Sequence, residues 1–154
     1  MNRLEELEEE AFRQGVTVLE YRFDSDRIKG LYCDGVVALN KHLTPTEKTC
    51  VLAEEIAHHE LNVGDIIDQK SVANRKQEHR ARMKAYDRLI GLSGIVSAHK
   101  AGCRNAYETA EYLDVDEAFL TEALDAYRAK YGERTVFDKY IIYFEPQLGI
   151  LELF

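Results

Sequence analysis

The stretch TPTEKTCVLAEEIAHHEL, residues 44 to 61, constrains this chain more than any other. Thr44 can cap a helix with its hydroxyl, and Pro45 suits the first helical position because it has no N–H to satisfy. Glu47 can reach back to the Thr44 N–H as the other half of a capping box. The spacing predicts a helix over residues 45–61. Each residue turns about 100° from the last, so Glu54 and His58 stand one above the other. A carboxylate and an imidazole on one face can converge on one ion, and zinc accepts both donors. Glu55 falls beside that point rather than on it, where a general base would take a proton from water. Leu52 and Ile56 mark the opposite, core-facing side. His59 lies nearer that apolar side and reads as a packed, hydrogen-bonded histidine at least as readily as a catalytic one. By itself the Glu54 and His58 pair is a weak signal of metal binding.

A third donor has to come from elsewhere. Gly64 should end the first helix, DIIDQKSVA connects, and residues 72–90 read as a second helix with Arg75, Lys76, Arg80, Arg82, Lys84 and Arg88 on its outer side. Glu78 shares a stripe with Ala81, Ala85 and Leu89, the spacing of a core-facing row. A carboxylate there is costly to bury unless it is paired or bound to a metal. Two readings stay open for it, a third metal ligand or an ion pair with Arg82 four residues on. The alanines would let the two helices approach closely.

Around this pair the chain predicts an α+β fold. Residues 3 to 14 read as an acidic helix with a thin apolar stripe of Leu4, Leu7 and Phe12, stopped by Gly15. VTVLEYRF, IKGLY and VVALN suggest a small antiparallel sheet of about three strands, packed on a zincin-like pair of helices. Three short helices follow, with Asn105 and Asp116 as N-caps and Gly132 as the stop. TVFDKYIIYFEPQLGILELF ends as a strand pair around a turn at Pro146 to Gly149. The expected organisation is a core over 1–91, a helical tail resembling a helix-turn-helix over 92–132, and C-terminal strands over 133–154 packing on the core.

With both helices in view, the chain resembles the ImmA/IrrE family of zinc metallopeptidases. GVVALNKHLTPTEKTCVLAEEIAHH is similar to that family's strand, loop and capped helix, and EHRARMKAYDRLI to its downstream E-x-x-A-x-x-x-A helix. AYETAEYLDVDEAFLTEALDAYRAKYG is similar to the helical tail of phage-type members. The resemblance implies His58 as the second histidine of His-Glu-x-x-His, Glu55 as the catalytic glutamate and Glu78 as the downstream ligand. Glu54 stands where the first histidine would be. A Glu54, His58, Glu78 set carries more negative charge and is harder, which shifts preference from zinc toward manganese or another hard divalent cation. The implied function is cleavage of a helix-turn-helix repressor of a phage or mobile element. His59, His42, His79 or a tyrosine could supply the oxyanion donor.

Two other readings compete. One is a non-catalytic relative that binds the repressor as a protein-binding, anti-repressor module. The other is direct DNA binding through the tail, which the charge opposes. The net charge is -8, and the supposed reading helix sets Asp116, Glu117, Glu122 and Asp125 against Arg128 and Lys130. Phosphate-backbone affinity needs clustered cations, so nucleic acid is not an expected partner. Nor is a membrane, since no run approaches the roughly 18 to 20 apolar residues of a span. MNRLEELEEE lacks the apolar core of a signal peptide, and Cys33, Cys50 and Cys103 are odd in number and unpaired by motif. The expected location is the cytoplasm.

Overall fold

A computed structural model describes residues 2–63 and 71–153 of the chain. The fold is α+β, as the pattern of elements predicts, and the chain divides into two compact units, Met1–Ala85 and Tyr86–Phe154.

The first unit opens with α1 (Arg3–Arg13), capped by the Asn2 side chain on the Glu5 N–H. Gly15 follows at φ +78, a left-handed turn that costs glycine nothing. The expected apolar stripe of α1 is displaced. Leu7 and Ala11 are the buried positions, and Phe12 is 81% exposed. Ala11 lies four residues beyond Leu7 on the same face, whereas Phe12 is turned about 100° further round.

Strands β1 (Thr17–Tyr21), β2 (Gly30–Cys33) and β3 (Val36–Asn40) form one sheet in the order β1-β3-β2. Asp34 and Gly35 both take positive φ, the conformation of a two-residue hairpin, and β2 pairs antiparallel with β3. β1 runs parallel to β3, a pairing that alternation along the sequence does not encode. Helix α2 (Pro45–Val63) packs against α1, β2 and β3. Its capping box forms as the sequence predicts, with Glu47 N–H donating to Thr44 Oγ1 at 3.2 Å and Thr44 N–H to Glu47 Oε1 at 3.0 Å. Helix α3 (Ser71–Leu89) spans the boundary between the units. Gly64 and the connector through residue 70 lie outside the described residues.

The second unit holds α4 (Gly91–Lys100), α5 (Ala106–Leu113) and α6 (Glu117–Tyr131), the three predicted helices. Asn105 caps α5 through its side chain, and Asp116 occupies the N-cap of α6 without a side-chain capping bond. The closing segment makes three strands where its sequence pattern predicts a pair. β4 (Arg134–Phe137), β5 (Tyr140–Tyr143) and β6 (Gly149–Glu152) form an antiparallel sheet of their own. Asp138 at φ +53 supplies a tight turn between β4 and β5, in a run whose apolar and aromatic residues look like one continuous strand. Tyr127 is fully buried, and its hydroxyl donates to Asp87 Oδ1 at 3.0 Å while accepting the Gly91 N–H at 3.1 Å. One phenol thereby ties α6 to the junction of α3 and α4.

No described helix is long and apolar enough to cross a membrane. Tyr127→Phe removes the partner of a carboxylate and of a backbone N–H together, and should cost about 1–3 kcal/mol by urea denaturation. Thr44→Ala should cost about 1 kcal/mol in the same measurement through loss of the cap.

Candidate metal centre

Helix α2, packed on α1, β2 and β3, buries Leu52, Ala53, Ile56 and Ala57 completely. Burying a leucine or isoleucine of this kind contributes about 1.5–3 kcal/mol. Gly30 sets how closely the helix approaches, because a Cβ there would lie 2.6 Å from Val51 Cγ1. Two residues along β2, on the same face, Tyr32 Oη meets His59 Nδ1 at 2.7 Å, and the rings meet edge to face. His59 is therefore the packed, hydrogen-bonded histidine that its place near the apolar side of α2 predicts. Its partner lies 27 residues away in sequence, so no local pattern could have named Tyr32.

The seating leaves Glu54, Glu55 and His58 half-buried at the flank of α2. Glu78 of α3 comes to the same place, with its Oε2 3.2 Å from His58 Nε2. Two donor atoms about 2.0–2.2 Å from one tetrahedral ion stand roughly 3.3–3.6 Å apart. The pair is thus spaced almost as one ion would hold it. Arg82 Nε lies 3.7 Å from the other carboxylate oxygen of Glu78, so the two readings of that residue coexist, with the imidazole the nearer partner. The stripe that Glu78 shares behaves as expected at Ala81, Ala85 and Leu89, which are buried. Glu78 itself stands at its open end, with its side chain 42% exposed. Lys84 and Glu60 make a second link between the helices at 3.9 Å, and Gln14 of α1 donates to Glu60 at 3.0 Å.

Glu55 carries the strongest electrostatic signature here. Burial, then the neighbouring charges of Glu54 and Glu78, push its carboxyl up to about 7. Three acids crowd one imidazole, and a bound cation would relieve that crowding. The donor chemistry therefore fits a hard divalent ion. The geometry joins His58 to Glu78, and among the described residues no group of three His, Cys, Asp or Glu side chains is gathered closely enough to hold a metal. Glu54 is near enough to act on Glu55 electrostatically but does not complete a three-donor set with the pair. Of the other histidines named as oxyanion donors, His42 lines a hollow with Asp26, Lys29 and Glu47 at the start of α2, and His79 is exposed on α3.

The raised carboxyl sets a pH dependence for metal-free protein. Glu55 has a folded-state pKa near 7 against an ordinary 4.5, so its contribution to stability is complete below about 4.5 and lost as pH rises through about 7. Urea midpoints of metal-stripped protein should fall over that window, and Glu55→Gln should flatten the fall. An unchanged profile in the variant would assign the titration to another group.

No curated protein sequence matches the chain. Residues 11–124, which take in the sheet and all of the acid and imidazole cluster, match the peptidase M78 family described as the IrrE N-terminal-like domain. The match covers well over half of the chain, which belongs to this metallopeptidase-type family.

Proposed function

We propose that the chain is a metal-dependent endopeptidase in which His58 and Glu78, joined by Glu54 when it turns in from the same face of α2, hold one divalent cation and Glu55 is the general base. The observation that carries this reading is the 3.2 Å approach of His58 Nε2 to Glu78 Oε2 on the flank that also holds Glu54 and Glu55. When bound, the cation supplies polarisation of the scissile carbonyl and a lowered pKa for the attacking water. Glu55 takes the proton from that water at its carboxylate and returns it to the leaving amine. Tyr32, through His59, adds a polar tie between β2 and α2 that refines the placement of the flank on which Glu55 and His58 stand.

The substrate class comes from the resemblance, a helix-turn-helix repressor of a phage or mobile element. Glu54 in the first-histidine position hardens the donor set, so manganese competes with zinc as the resident ion.

Metal content of protein purified without chelators tests the reading. The expected result is near-stoichiometric zinc or manganese, lost in Glu78→Ala and retained in Glu55→Gln. Cleavage of a co-expressed repressor should fall by about 10²–10⁴ in Glu55→Gln, the usual worth of a positioned base. Retained metal with unchanged cleavage in that variant would remove Glu55 from the mechanism. Protein that neither binds added metal nor gains melting temperature from it acts instead as a binding module.

A further inference from the structure

The opposite edge of the first sheet carries a second surface. β1 is an edge strand, and β2, whose Tyr32 meets His59, is the other edge. Thr17 N–H donates to Gly35 O, and Tyr21 O accepts from Lys41 N–H. Residues 17, 19 and 21 thus turn their main-chain groups to β3. The alternation of a parallel ladder points the N–H and C=O of Val18 and Glu20 outward. Beside this edge runs a hollow of about 370 Å³ between α1 and β1, floored by Val16 and Leu39 and walled by Phe12 and Glu8. Phe12 is 81% exposed although it borders the hollow. On the outer face of the same strand Leu19, which also borders the hollow, is 40% and Tyr21 56% exposed.

Acidic charge predominates along α1, which carries five glutamates against Arg3 and Arg13, while Lys41 and Lys48 lie by Glu20 of β1. Glu5 and Glu9 stand one turn from Glu8 and Phe12 along α1. Glu20 is already paired with Lys48 at 2.6 Å, and Glu8 has no basic partner among the described residues.

From this geometry we infer that the α1–β1 edge docks an extended segment of a protein partner in which basic and apolar residues alternate. The segment adds to β1 as a further strand, bonding to the outward groups of Val18 and Glu20. Side chains of a strand alternate between faces, so one set enters the hollow and the other lies on the outer face. In the hollow a lysine or arginine lays its stem along Phe12 and its charge against Glu8. On the outer face an apolar residue covers Leu19 and Tyr21. The inference stands apart from the acid and imidazole cluster, because neither Glu55 nor His58 takes part.

Anisotropy of a fluorescein-labelled (Lys-Val)4 peptide titrated with the whole chain tests it. The peptide should bind, more weakly as salt rises, while (Glu-Val)4 should not. Val18→Pro removes the outward N–H and leaves the β3 ladder intact, and should weaken binding about tenfold, the worth of one hydrogen bond. Phe12→Ser alters an exposed side chain and should also weaken it, whether or not the proline variant folds. Glu8→Lys should weaken binding, and Glu117→Lys on α6 should not. Equal losses in those two lysine variants, or full binding by Phe12→Ser, would overturn the inference. So would a dimer in sedimentation that Val18→Pro dissolves, since a second copy would then be the occupant.

Discussion

Everything at the candidate centre depends on how tightly α2 lies on its sheet. Gly30 gives up its side chain so that Val51 can come within a distance that no Cβ would permit, and Leu52, Ala53, Ile56 and Ala57 are fully buried as α2 packs on α1, β2 and β3. An α-helix that is fixed along one face is fixed around its whole circumference. The flank carrying Glu54, Glu55 and His58 is therefore placed by apolar packing on the other side, and not by the polar groups themselves. The polar contacts refine that placement. Tyr32 holds His59, and Glu60 takes Gln14 from α1 and Lys84 from α3.

The consequence is a concentration of like charge that the fold tolerates at a cost. Half-buried carboxyls next to one another raise the proton affinity of at least one of them, and here Glu55 bears that rise. The same crowding that disfavours three ionised acids favours a cation or a proton. Arg82 answers part of the charge on Glu78 from the solvent side, at a distance where screening leaves it little influence. The span that matches the M78 peptidase family includes Glu54, Glu55, His58 and Glu78.

The two ends of the sheet divide the work of the first unit. At β2 the chain meets α2 and the acid and imidazole cluster. At β1 it presents unpaired main chain beside an acidic helix and an exposed phenylalanine. Separating the two on opposite edges of one sheet lets a partner segment be held without crowding the flank of α2.

The sequence by itself determined the features that live within one helical turn or one hairpin. The Thr44 and Glu47 capping box, the start of α2, the Asp34–Gly35 turn, the Asn105 cap and the shared face of Glu54 and His58 all follow from local geometry. The stripe of α3 was legible as well, and with it Glu78, because helical period is a strong signal. Only the tertiary structure decided which distant groups meet: Glu78 with His58, Tyr32 with His59, and Tyr127 with Asp87. It also decided that β1 runs parallel to β3, that Phe12 faces outward, and that the chain ends in three strands. These depend on contacts between residues far apart along the chain, and short-range propensity carries no information about a partner tens of residues away.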